Sequence, residues 1–379
     1  MRLNVPVINT GLAQVSNAFL LATVVLYALA MLAYACDFAF GKARVMRAAA
    51  VAVPGESAAA TGQASAAVRP EPAVVGAAAG GLRAAAAGTP GGGTITLQPG
   101  QRDEAGGPGD GAGPAALPER ESPWPAGMWL RTAFGLTCIG LALQLLALLT
   151  RGIAEQRVPW GNMYEFIAAI TCMAVIVLVA AAIRFRAYYL GLFVLVPVVL
   201  ALALDLTVVY TAADDLVPAL QSYWIAIHVT AMIIASGLYV VGAVVTTMYL
   251  VADRSERRVA AGLPSRASGI MLHLPRPVIL DRLSYRSILF AFPVWTFGIM
   301  AGAIWADSAW GRYWGWDPKE TWSFITWVVY ACFLHARATA GWRGRRAAYI
   351  HLLGFGCLMF NLVGINLWVT GLHSYAGIG

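Results

Sequence analysis

The sequence predicts an all-α, polytopic membrane protein with about eight transmembrane helices and an external Trp-rich loop between helices 6 and 7. Three observations carry this expectation. Of 379 residues, 59% are hydrophobic and 12% charged, against about 25% charged in a soluble domain. Several apolar runs reach the ~20 residues that cross a bilayer. Finally, the Lys and Arg residues gather on alternate connections, the bias that sets membrane orientation.

The first apolar run, roughly Gln14–Phe40, is too long for a signal-peptide core and lacks a basic leader, so it reads as an uncleaved span. Lys42, Arg44 and Arg47 follow it directly. Positive charge there marks the cytoplasmic side and puts the N-terminus outside. Residues 44–127 are Ala-, Gly- and Pro-rich with scattered charge. Such a composition buries too little apolar surface to offset its ordering entropy, and a disordered cytoplasmic linker is expected. The chain thus divides into an N-terminal transmembrane helix (1–43), a linker (44–127) and a seven-helix region (128–379) containing a tryptophan loop at 305–322.

The remaining spans are read at about Met128–Thr150, Asn162–Ile183, Tyr188–Tyr210, Ser222–Ala252, Ser287–Ala306, Thr321–Ala340 and Ala348–Leu372. Asp253–Arg286 holds seven arginines and is expected inside, as are Arg343, Arg345 and Arg346. With both termini outside, only Arg2, Arg151, Arg157, Arg312 and Lys319 of the 26 basic residues fall on the outer side. This one-sided distribution assigns the net charge of +7 to membrane topology, with membrane lipid and no nucleic acid as the expected surroundings. The five cysteines form no CxxC pair and there is no CxxCH, so neither a thiol-redox motif nor a self-attached heme is visible.

Six of the thirteen tryptophans lie between Trp305 and Trp327. An aromatic belt would scatter them over both interfaces; clustered on one loop they make a shelf for a flat ligand. Trp310, Trp314 and Trp316 are candidates to stack on it. Arg312 and Lys319 could pair with ligand carboxylates, Arg as the better bidentate partner, or be surface charges paired with Asp307, Asp317 or Glu320. Asp317-Pro-Lys-Glu320 reads as a helix start, with Asp317 as N-cap and Glu320 completing a capping box.

The histidines sort by topology. His228 lies within two turns of the outer end of span 5, and His373 just past the outer end of span 8. Two imidazoles flanking an aromatic shelf are what bis-histidine heme ligation requires. His335 lies about 14 residues into span 7, ~20 Å below the outer surface. An ionisable group at that depth is a functional-site hypothesis by default, and it reads as the one deep histidine. His351 and His273 are assigned no role. A membrane electron-transfer cytochrome would need facing histidine pairs inside the bundle. A transporter would show inverted repeats, and none is visible.

Trp310-Gly-Arg-Tyr-Trp314-Gly-Trp316-Asp317 resembles the WWD signature of heme-handling proteins. Its continuation Pro318-Lys-Glu-Thr-Trp322-Ser323, with His335 beyond, is similar to the CcsA/ResC branch (CcsB in actinobacteria) of system II cytochrome c biogenesis. The resemblance covers about residues 128–379 and extends to Gly161-Asn-Met-Tyr-Glu165. It implies that His228 and His373 ligate an external heme b carried as bound substrate, and that His335 holds heme within the membrane. It also implies a ResB-type membrane subunit as partner in a holocytochrome c synthase (heme lyase), with apocytochrome c and an extracytoplasmic thiol-disulfide oxidoreductase. The expected role is delivery of heme across the plasma membrane to the CxxCH of apocytochrome c. The alternative is a WWD-type chaperone or exporter that passes heme to a carrier.

Overall fold

The structure is a computed structural model that describes residues 9–40, 125, 127–213, 222–264 and 274–373. Almost all of the linker expected to be disordered, the outer loop with Asp214 and Asp215, and His273 lie outside the described residues. All described residues belong to one compact unit.

That unit is helical throughout its described residues. The helices are α1 (Thr10–Phe40), α2 (Met128–Glu155), α3 (Met163–Phe185), α4 (Leu190–Thr207), α5 (Tyr223–Ala260), α6 (Pro277–Trp310), α7 (Pro318–Ala338) and α8 (Arg345–Met359). A π-helical turn, Phe360–Gly364, joins α8 to a last short helix, α9 (Ile365–Trp368). Seven helical segments are long and apolar enough to cross a membrane, with Arg345–Trp368 counted as one. The eighth, α7, has the length at 21 residues but carries Lys319, Glu320 and Arg337 at its ends. The expected all-α polytopic architecture is thus observed. Large apolar side chains such as Leu21, Leu32, Leu149, Leu200, Phe297 and Met300 are exposed on the bundle's outside, where hydrocarbon would cover them.

Two apolar cores fill the bundle. The first joins α1–α5 through Tyr27, Tyr34, Phe134, Leu178, Leu195 and Val245. The second joins α5–α8 through Tyr239, Trp295, Tyr330, Phe333 and Leu358. At 38 residues, α5 takes part in both. Close approach of α1 to α2 depends on Gly140, where a Cβ would stand 2.5 Å from the Tyr27 ring. Beside it Gln144 is fully buried and satisfied: it accepts from the Tyr27 hydroxyl at 2.8 Å and donates to Ala168 O and Thr171 Oγ1, each at 3.0 Å. One amide therefore ties three helices together.

Several boundaries differ from the sequence reading. Helix α6 begins at Pro277, ten residues before the expected span. Pro277 suits a first helical turn, and Asp281 holds this polar extension to α7 through a bidentate pair with Arg337, both bonds 2.9 Å. Helix α2 runs on to Glu155 because Arg151 is not solvated. It is 2% exposed and paired with Glu155 at 2.6 Å and Glu165 at 3.2 Å. Arg157 closes the group against the same two carboxylates, 2.7 Å from each. The two arginines that departed from the charge bias are thus neutralised inside the protein. The tryptophan loop is also shorter than expected. Helix α6 continues through Trp310 and ends at Gly311 (φ 70°), and α7 begins at Pro318, so only 311–317 is loop.

Candidate functional site

A cavity of about 390 Å³ opens where the ends of α3, α5, α6 and α7 meet the chain end, within the ~300–1,000 Å³ range of cofactor pockets. His228 and His373 both line it, with Trp305, Trp310, Trp314 and Lys319.

His228 reaches this cavity because Ser222 caps α5, its side chain accepting from Trp224 N at 3.3 Å, two turns before the histidine. Its Nδ1 lies 2.7 Å from the Gly298 carbonyl on α6. A carbonyl can only accept, so Nδ1 carries the proton and the lone pair falls on Nε2, the nitrogen a metal would take. The berth exists because Gly302 lacks a side chain; a Cβ there would stand 2.6 Å from His228 Nδ1.

His373 is held by a different acceptor. Its Nδ1 donates to Asp317 Oδ2 at 2.7 Å, while Asp317 Oδ1 accepts the Leu372 N–H, also at 2.7 Å. Again the lone pair is directed to Nε2. Gly371 allows this approach, since a Cβ there would lie 2.7 Å from Asp317 Oδ1. Burial alone would push the Asp317 carboxyl up, but the hydrogen bonds from His373 and the Leu372 N–H outweigh it and hold it below the ordinary value of 3.8. Asp317 thus serves both as the expected N-cap of α7, in a capping box with Glu320, and as the clamp on the last histidine.

Trp305 stands against both imidazoles, stacked on His228 (6.2 Å, 11°) and edge-on to His373 (5.8 Å, 62°). Trp310 packs edge-on against His373 at 5.0 Å and Trp305 at 4.7 Å. Glu320 knots the loop. It accepts from Gly315 N at 2.9 Å and Asp317 N at 3.0 Å, and pairs with Arg312 at 3.0 Å.

The sequence candidates therefore separate. His228, His373, Trp310 and Trp314 line the cavity. Asp317 acts through His373. Arg312 is engaged by Glu320 and lies outside the lining, so of the two readings left open for it the structure has the ion pair. Trp316 does not line the cavity either. It is 64% exposed with a left-handed backbone (φ 60°), and packs edge-on to Trp314 and Phe324.

His335 lies at the far end of the bundle, exposed and in the last turn of α7. The helix ends at Ala338, three residues on, and the chain turns through Gly341 (φ 62°) soon after. The buried histidine is a different one. His351 on α8 is fully buried between Tyr330 and Phe333.

Sequence reasoning left Trp305, Arg157, Ser236 and Asn361 out of the site, and all four line the cavity. Asn361 had a visible signal, a polar side chain inside an apolar span. Gly161–Glu165 gains a structural role: Asn162 caps α3 by accepting from Glu165 N at 2.9 Å, and Glu165 accepts the Gly161 N–H at 2.8 Å.

Among the described residues no group of three or more His, Cys, Asp or Glu could hold a bare metal ion. Two imidazoles fit a metal that brings its own equatorial donors, as heme does.

The family described as cytochrome C assembly protein matches residues 160–373. A cytochrome c biogenesis protein CcsA of Guillardia theta is 34% identical over 258 residues, covering 64% of this chain and 84% of the relative. A CcsA of Synechococcus sp. (strain JA-2-3B'a(2-13)) is 36% identical over 302 residues, covering 65% and 86%. A CcsA of Gloeobacter violaceus is 34% identical over 306 residues, covering 65% and 90%.

Proposed function

The chain belongs to the cytochrome c assembly family, in its CcsA branch, and from that premise we propose that the cavity binds heme b as substrate and presents it for attachment to the CxxCH of apocytochrome c. A role in cytochrome c biogenesis follows from the family. The finer reading rests on one observation: two imidazoles line one tryptophan-walled cavity, each with Nδ1 fixed by a carbonyl or carboxylate so that Nε2 carries the lone pair. Such second-shell acceptors orient metal-binding histidines and raise their basicity.

In this reading His228 and His373 are the axial ligands, and Trp305, Trp310 and Trp314 wall the macrocycle. Lys319, which lines the cavity, is better placed than Arg312 to meet a propionate. Heme bound there supplies vinyl groups that add the two thiols of the CxxCH peptide, and the peptide's histidine replaces an axial ligand on release. His335, exposed at the far end of α7, serves a membrane heme site completed by a ResB-type partner. Residues 128–379 then form the heme-handling region, with 1–43 as a supporting span and 44–127 as a cytoplasmic linker. Both termini and the tryptophan loop lie outside the plasma membrane, where an extracytoplasmic thiol-disulfide oxidoreductase keeps the CxxCH thiols reduced.

The test is the visible spectrum of the protein co-purified with its ResB-type partner. Wild type is expected to show a reduced low-spin heme that weakens or turns high-spin in His228→Ala and in His373→Ala, with a separate loss in His335→Ala. An unchanged spectrum without both His228 and His373 would remove the ligand assignment.

A further inference from the structure

The floor of the cavity is not closed by apolar side chains. Ser236 and Asn361 line it, at 0% and 5% exposure. Asn361 donates to Ser323 Oγ at 2.9 Å, but its Oδ1 has no hydrogen-bond partner, and neither has Ser236 Oγ. One turn further along α5, Tyr239 stacks on Tyr330 with ring centroids 4.0 Å apart. Both hydroxyls are buried and without a partner.

Beyond them the Tyr330 ring lies 5.7 Å from the His351 ring. His351 Nδ1 is 2.7 Å from Thr246 Oγ1 and 3.1 Å from Ser284 Oγ, and the two hydroxyls are 2.6 Å apart. Its Nε2 has no partner. The imidazole lies against Gly242, where a Cβ would stand 3.0 Å from Cε1 and 3.3 Å from Nε2. Ser236, Tyr239, Gly242 and Thr246 share one face of α5.

Five orphaned polar atoms therefore follow one another from the cavity to His351. Native interiors satisfy buried polar groups, with ordered water where no protein partner is in reach. The first core shows that this chain can do so with side chains, since the buried Tyr27 hydroxyl is met by Gln144. We propose that the cavity continues inward as a file of ordered water along α5, from Ser236 and Asn361 past Tyr239 and Tyr330 to His351, and that this file exchanges protons between the cavity and the bundle interior. Hydroxyls and imidazole each donate and accept. A proton passed inward to His351 is matched by one returned outward along the same file, so the exchange leaves no net change of bond or charge. The inference does not depend on what the cavity binds.

The test uses the full chain, free of ligand, in lipid nanodiscs. X-ray-generated hydroxyl radicals formed from bound water are expected to label Tyr239 and Tyr330 several-fold more than Tyr27. Labelling no greater than that of Tyr27 would overturn the file. In protein labelled with ¹⁵N-histidine, the His351 ring N–H is expected to exchange with bulk water, several-fold more slowly in Ser236→Val. Tyr239→Phe, which removes one hydroxyl and little volume, is the second variant should Ser236→Val fail to fold. A His351 signal fully protected from exchange in wild type, or one indifferent to Tyr239→Phe, would equally overturn the route.

Discussion

The cavity end and the interior of the bundle treat histidine in opposite ways. At the cavity end, His228 and His373 each give Nδ1 to an obligate acceptor, and both rings border open volume. In the interior, His351 meets two hydroxyls of either polarity on α5 and α6, and its ring lies against Tyr330 and Phe333 of α7. The difference teaches that burial alone does not mark a metal ligand. What marks one is a fixed tautomer together with space at the other nitrogen.

The comparison can be broken most severely through glycine. Gly302→Ala places a methyl 2.6 Å from His228 Nδ1 and should displace the ring. The expected result is loss of low-spin heme as complete as in His228→Ala, read from the visible spectrum. Asp317→Ala leaves His373 in place but frees its ring. Removing such a second-shell partner costs roughly 10–100-fold in metal affinity, to be measured by heme titration of the apoprotein. The lost cap adds about 1 kcal/mol of destabilisation.

His351→Leu should reverse the pattern of the cavity histidines. It removes the partner of two buried hydroxyls, and a stability loss of ~1–3 kcal/mol is expected in a denaturation assay. His228→Ala or His373→Ala without heme should cost less, because those rings border a cavity. The smallest effect belongs to Arg312→Ala. This partly exposed pair with Glu320 is expected to contribute ~0.2–1 kcal/mol, with heme retained; heme loss in this variant would put Arg312 back among the ligand contacts.

Much of the fold was legible because bilayer-spanning runs are long and their flanking charges follow one rule. Polar helix ends were not. Asp281, Arg151 and Glu155 read as loop residues until ion pairs with Arg337, Glu165 and Arg157 neutralise them, and that pairing is a tertiary fact. At the site, His228 and His373 were readable from topology, since both fall at one face. The Gly298 and Asp317 acceptors that orient them could not be read, because they come from other elements. Trp316 was misplaced for a related reason. It does pack beside Trp314, as its spacing suggests, but with a left-handed backbone its ring stays exposed, outside the cavity lining. His351 looked peripheral because Arg345 and Arg346 precede it so closely, yet one further turn of α8 carries it into the core.

The π-helical turn at Phe360–Gly364 has its own consequence for the chain end. It inserts one extra residue into the helical phase between the α8 segment bearing His351 and the segment leading to His373. An α-helix advances about 100° per residue, so deleting one residue there would rotate everything after it by about that angle. The chain would then reach Asp317 on the wrong side. The position of the last histidine is therefore encoded partly by a count, and single-residue insertions or deletions in 360–364 should be tolerated far less than substitutions at the same positions.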